Sequence, residues 1–368
     1  MYIKSAYSTK GTSGDIINDL KSQLSGFDTK MLVFFASSRL VPSIISQKVH
    51  EAFPGASVFG CTTAGEIVSG KMLKNSLVAM AFNATAVNDV KIEVLENPGN
   101  ENSVGKAFAN FETYFKTPMS ELDPGKYVGL VFVDGLIGVE EKMNDRIRDL
   151  TNVCFIGGTA GDDLKWESTY VFANGKSYAN AAVLAVLKPG VPFTFIKTQS
   201  FRDLGKKLVV TKANEEKREV IEFNNKPAVK AYAQLLGVAV EEVMNLFIHN
   251  PVGLVIDGMT FVRAPQQIKG NSMVFYCSVT EGMELSLLEA TDIIGDTGRV
   301  LEQVKKDLGG ISGIITIDCV LRTLELGQKQ KIEDYGKLFT DIPTVGFNSY
   351  GEIYLGTLNQ TATMLVFK

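Results

Sequence analysis

Histidine and tryptophan are scarce: His50, His249 and one tryptophan stand among 368 residues. Two distant imidazoles leave no cluster for a structural zinc site and no Cys–His pair within one motif. The four cysteines (Cys61, Cys154, Cys277, Cys319) lie far apart with no C-x-x-C spacing. That reads as free thiols in a reducing compartment rather than a disulfide framework. No apolar run approaches the roughly 18–20 residues of a spanning helix. The N-terminal MYIKSAYSTKGTSGD lacks the apolar segment of a secretory signal. A cytoplasmic chain without membrane insertion is therefore expected. Lys and Arg number 37 against 41 Asp and Glu, for a net charge of -4, so no basic field marks a nucleic-acid or anionic-membrane partner. A P-loop, a G-x-G-x-x-G turn after a strand and a G-x-S-x-G elbow are all missing. Nothing calls for a cofactor, a metal or a catalytic residue.

What is present is a repeat. GCTTAGEI at Gly60–Ile67 returns as GFNSYGEI at Gly346–Ile353, and more loosely as GGTAGDD at Gly157–Asp163. Aligned on Thr63, the second copy lies 96 residues on (Thr159, Gly161, Asp162) and the third 286 residues on (Ser349, Gly351, Glu352). Apolar runs precede each copy: LVFFAS from Leu32, GLVFVDG from Gly129 and GIITIDC from Gly313. Such runs, rich in Val, Ile and Phe, read as strands buried on both faces. Helix-length segments follow. Ile45, Val49 and Phe53 form one stripe after Pro42, and Val139, Met143, Ile147 and Leu150 another; Leu321–Leu338 is less periodic. After each turn comes a strand opening near Asn75, Asn180 or Asn359. The unit reads strand, helix, strand, Gly turn, strand, a βαββ pattern that builds mixed α/β sheets. Val104, Phe108, Phe111 and Phe115 mark a further helix, and so do Val300, Val304 and Leu308, with Asp296 and Thr297 as cap candidates.

From about Pro189 to Glu289 the pattern alternates polar and apolar, as in TFIKTQSF and KKLVVTKA, which predicts an antiparallel β-meander. Lys188-Pro189-Gly190 punctuates the chain. Two domains, 1–188 and 189–368, are expected, the second carrying the meander. The hydrophobic share of 45% supplies core for both.

The order FFASS, GCTTAGEI, GGTAGDD, FNNKPAVKAYAQLLG, FVRAPQQI, EGMELSLL, GIITIDCVLR, GFNSYGEI, NQTATMLVF resembles the FIST sensory domain, N-terminal and C-terminal halves together, from about Leu32 to the C-terminus. The resemblance implies a small-molecule-binding input module, with amino acids and related metabolites as suspected ligands. It further implies a signalling output of the kinase, cyclase or chemoreceptor type. No such module follows the last strand, so a separate signalling partner is expected.

For the ligand, Arg322 in Asp318-Cys319-Val320-Leu321-Arg322 resembles the family's Cys-x-x-Arg pattern, and its guanidinium suits a carboxylate; the alternative is an internal pair with Asp318. Arg263 in FVRAPQQI is a second candidate for the same cleft. Glu66 and Glu352, each following a turn Gly, suit an ammonium; the alternative is that these acids, with Asp162, fix their own turns. Thr62, Thr63, Asn348 and Ser349 offer neutral hydrogen bonds. Cys319 is a ligand contact or an inert buried thiol, and a thiol- or carboxylate-dependent hydrolase or transferase using Cys319 or Thr63 is the rival reading. Trp166 and Tyr170 are candidates to wall a pocket, against plain packing.

Overall fold

The computed structural model describes residues 1–256 and 258–368, and its architecture is the expected mixed α/β one. The repeat is a parallel strand–helix–strand unit used three times. The first unit runs Met31–Ser37, Pro42–Ala52, Ser57–Thr63. The second runs Val128–Val133, Glu140–Leu150, Phe155–Thr159. The third runs Gly313–Cys319, then Val320–Gln328 and Ile332–Lys337, then Thr344–Ser349. The break between those two helices accounts for the poor periodicity after Leu321. In each unit a later strand (Leu77–Phe82, Ala181–Pro189 or Thr361–Phe367) returns antiparallel beside the first.

Both faces of these sheets are buried, which is why the strands read as unbroken apolar runs. Met31, Val33 and Phe35 face a shared interior, while Leu32, Phe34 and Ala36 pack beneath helices. At the centre of that interior Phe35, Phe132 and Phe347 meet with ring centroids 4.6 to 5.9 Å apart. Aromatic triples in edge-to-face and tilted contact add to the free energy of burial.

The three sheets are completed by exchange. The hairpin after the first unit, Glu66–Val68 with Lys71–Leu73, pairs with Thr344–Ser349 of the third. The third unit's hairpin, Glu352–Tyr354 with Thr357–Leu358, pairs with Phe155–Thr159 of the second. The second unit's hairpin, Val171–Ala173 with Lys176–Tyr178, pairs with Ser57–Thr63 of the first. Each unit thus covers an edge of another, and the cycle closes.

The chain passes from the second sheet to the third between Ala181–Pro189 and Phe193–Gln199, beside the expected boundary. The hairpin exchange nevertheless gives residues from before and after that point to the same sheets. Between the second and third units lies the antiparallel meander, built from strands between Phe201 and Ala290 with the helix Ala228–Leu236. It has its own core, including Val220, Phe223, Tyr232, Val252 and Leu285. The helix Ile293–Leu308 starts one turn earlier than Asp296 and Thr297 suggest. Asp292 caps it by accepting from Ile294 N, which leaves Asp296 to bind Arg299.

The structure also shifts the second repeat by one residue. Gly60, Gly157 and Gly346 occupy equivalent places: a Cβ there would lie 1.7, 1.7 and 2.1 Å from the carbonyl oxygens of Phe34, Val131 and Thr316. The second copy is therefore offset by 97, and Ala160 stands where Thr63 and Ser349 stand. Gly157→Ala or Gly60→Ala should destabilise by about 3 kcal/mol or more, since backbone, not a flexible side chain, must give way. Thermal melts check this; wild-type stability in both variants would mean the strands are not packed as described.

Candidate functional site

The three Gly turns meet at one junction. Gly161 N donates to Thr62 O at 3.0 Å and Ala64 N to Asn348 O at 3.0 Å. Asn348 N returns a bond to Gly65 O at 2.8 Å, and Thr159 N donates to Gly351 O at 2.9 Å. Every turn is bonded to the others by backbone.

Buried acids fix these turns. Glu66 accepts from Thr63 Oγ1 at 2.5 Å and from Ser76 N and Oγ at 3.1 and 2.6 Å. Glu352 repeats the pattern with Ser349 Oγ at 2.6 Å and Thr361 Oγ1 and N at 2.8 and 3.3 Å. In the second unit Asp134 takes that role, accepting from the Thr169 hydroxyl and from Asn180 N at 2.6 Å. Asp162, equally buried, binds the following loop instead. It accepts from the backbone N of Trp166, Glu167 and Ser168 and from the Tyr350 hydroxyl. Burial away from any cation pushes Glu66 up to about 7 and Glu352 up to about 8, against the donors that favour ionisation. For Asp162 burial acts upward too, but its hydrogen bonds outweigh it and hold the carboxyl below its ordinary range.

The remaining candidates divide by face. Cys319, Ser349 and Glu352 share the interior side of the third unit. Burial first, and Glu352 beside it, push the Cys319 thiol well above its ordinary value, so it stays protonated rather than becoming a nucleophile. Arg322 is 2% exposed and lies among the outer helices. It donates to Thr297 Oγ1 at 3.1 Å and lies over the Tyr335 ring, and its Nε and Nη1 have no partner. The structure does not bring it to Glu352. Thr62 Oγ1 accepts from Tyr170 N at 3.0 Å, and Asn348 Nδ2 donates to Thr323 Oγ1 at 2.6 Å; both secure the junction. Arg263 stands on the meander, half-buried.

A cleft of about 400 Å³ opens between the junction and the meander. Tyr350, Gly351 and Asn359 of the third corner line it, facing Arg218 and Tyr276 of the meander. Trp166 stacks on Tyr350 at 4.2 Å and 22°, and stays 45% exposed. Tyr350, not Tyr170, is its partner. Asp163, Leu164 and Trp166 hold left-handed φ of 58, 64 and 59°, at a cost of about 1–3 kcal/mol each. The Asp162 carboxylate and the Tyr350 hydroxyl, which accepts from Asp162 N and Leu164 N, fasten this strained loop. Across the cleft Arg218 Nη2 meets Glu140 at 2.7 Å and Arg218 Nη1 donates to Tyr276 O at 2.7 Å. Asn359 is 3% exposed and its Oδ1 has no partner. Sequence reasoning found Trp166 but missed Arg218, Glu140 and Asn359. They lie far apart along the chain, and only Asn359 flanks a repeat motif.

Comparison with known proteins gives two results. The family models for the FIST N domain and the FIST C domain match residues 30–226 and 228–355. The chain is also similar to an uncharacterized protein of Methanocaldococcus jannaschii, 24% identical over 298 residues that make up 75% of this chain. It spans 57% of that relative's length.

The raised carboxyls set a pH dependence. The folded state holds protons on Glu66 and Glu352 up to about 7 and 8, against an ordinary 4.5. Folding therefore binds protons in that window, and this contribution, full at pH below 4.5, fades as pH rises through 7 to 8. Melting temperature should fall between pH 5 and about 8.5, and the Glu66→Gln, Glu352→Gln double variant should flatten that slope. A wild-type stability that climbs over the same range would show both groups ionised.

Proposed function

The chain belongs to the FIST family, whose domains are sensory modules of signal transduction, and from that premise we propose that it binds a small zwitterionic metabolite of the amino-acid class in the cleft beside the three-turn junction. The observation that carries this reading is the unpaired Asn359 Oδ1 in a cleft that the stacked pair Trp166–Tyr350 also lines. A buried carbonyl oxygen without a donor is costly, and a ligand ammonium would satisfy it. The aromatic rings of the cleft attract a cation too, worth about 0.5–2 kcal/mol. Lys217 and Arg218, which also line the cleft, would take the carboxylate.

Signalling requires that the ligand distinguish two states. Arg218 holds the meander to the second unit through Glu140 and Glu141, 2.7 and 3.9 Å away. A ligand carboxylate competing for Arg218 weakens that hold, so occupancy shifts the meander's position. The shift would be read by a signalling output of the kinase, cyclase or chemoreceptor kind. Glu66, Glu352, Ser349 and Thr63 support this cleft from below by fixing the junction, and do not touch the ligand.

Trp166 is the chain's sole tryptophan, so its emission reports the cleft. Titration with amino acids, dipeptides, polyamines and simple carboxylates should give a saturable change for at least one compound. At 100 times its Kd that compound stabilises the protein by about 2.7 kcal/mol. Asn359→Ala and Arg218→Gln should each weaken binding about tenfold, in line with a lost charge-assisted bond of about 1.5–3 kcal/mol. A panel that moves neither emission nor melting temperature, or a ligand indifferent to both substitutions, removes the reading.

A further inference from the structure

Two cations face each other, unneutralised, where the meander meets the third sheet. Lys197 lies on Phe193–Gln199 of that sheet, and Arg263 ends the strand Met259–Arg263 of the meander. Lys197 Nζ donates to Thr260 O at 3.0 Å and sits 4.1 Å from the Phe261 ring centroid. Arg263 follows two residues later on the same face of its strand. After burial, its charge is what holds the Lys197 ammonium below its ordinary pKa. The ion pairs among the described residues include neither group. Arg263 Nη1 reaches only its neighbour Val262 O, at 3.3 Å, and Nε is buried with no partner. Thr363, opposite Lys197 in the ladder, is wholly buried with its hydroxyl unpaired.

Like charges placed together, with donors unused, are unfavourable unless a counter-charge joins them. A furrow of about 660 Å³ reaches Lys197, Thr198 and Gln199 from solvent; Arg299 lines it as well, and Arg263 stands outside it. Its carboxylates already have partners: Asp296 binds Arg299 and accepts from Thr291, both in the same furrow, and Asp292 caps its helix.

We propose that Lys197 and Arg263 form a site for a small oxyanion, a phosphate or an organic carboxylate, that clamps the meander onto the third sheet. The free Nε edge of the guanidinium suits two oxygens of such a group, and the ammonium supplies a second charge. Arg263 was expected to share a carboxylate with Arg322; the geometry gives it Lys197 instead. The site stands independently of the cleft.

Melts of the full chain in phosphate, acetate and malonate, against chloride at matched ionic strength, test it. Wild type should gain several degrees, saturably, from phosphate or from a carboxylate, and the better arm identifies the source. Arg263→Gln and Lys197→Gln should each abolish the gain, Arg263→Lys should keep part of it, and Asn359→Ala in the cleft should leave it intact. Wild-type melts that track ionic strength alone, or an anion gain that survives both Gln variants, overturn the proposal.

Discussion

The fold depends on edge strands that no unit can cover for itself. A parallel strand–helix–strand unit leaves the outer edge of its second strand open, and an open edge invites pairing with other chains. Here Ser57–Thr63, Phe155–Thr159 and Thr344–Ser349 each receive a hairpin from a different unit. The hairpin follows its unit's second strand through the Gly turn. Covering three edges in a cycle therefore forces the three turns to one place. Their meeting is a consequence of backbone hydrogen bonding before it is a feature of any site.

That junction has to be stiff, and its chemistry shows how. Carboxylates in a dry interior are expensive, yet Glu66, Asp134 and Glu352 sit there because each collects hydroxyl donors and an N–H from the start of the strand that closes its unit, Ser76, Asn180 or Thr361. The stiffness lets the junction hold a strained loop at Asp163–Trp166 against its natural tendency to relax. An aromatic platform fixed in advance loses little freedom when a ligand arrives. The meander is held differently, by Arg218 on Glu140 at one point and by Lys197 on Thr260 and Phe261 at another. Rigid body and adjustable partner are thus separated in the chain itself, the first built from the repeat and the second from the segment that interrupts it.

Much of this was legible in the sequence. Unbroken apolar runs gave the doubly buried strands, alternation gave the meander, and the repeated turn gave three like units. The convergence of the turns was not legible, because pairing between distant segments leaves no local trace. The one-residue shift of the second copy was hidden for a related reason. Thr159-Ala160-Gly161-Asp162 matches the other corners by letter, whereas the sheet reads only which residue faces inward, and that is Ala160. Asp162 then falls outside the position that Glu66 and Glu352 hold, and Asp134, in a loop with no resemblance to the motif, fills it. Arg322 is the opposite case. Its motif resembles a ligand contact, but a helix that begins directly after Cys319 carries it to the outer side of the sheet.

Two guanidinium groups of the meander also lie near each other, since after burial Arg263 and Arg218 both act on the Cys277 thiol. One meets acids and the other meets Lys197, so the seat of the meander is uneven in charge. Attraction at Glu140 holds it down, and at Lys197 the Thr260 hydrogen bond and the Phe261 ring hold it against the repulsion between Lys197 and Arg263. A ligand carboxylate drawn to Arg218 and an oxyanion drawn to Arg263 would act on the same balance with opposite sign. The first removes an attraction and the second removes a repulsion. Two solutes of like charge would then act on one element through sites that share no residue, and linkage requires each to weaken the other's binding.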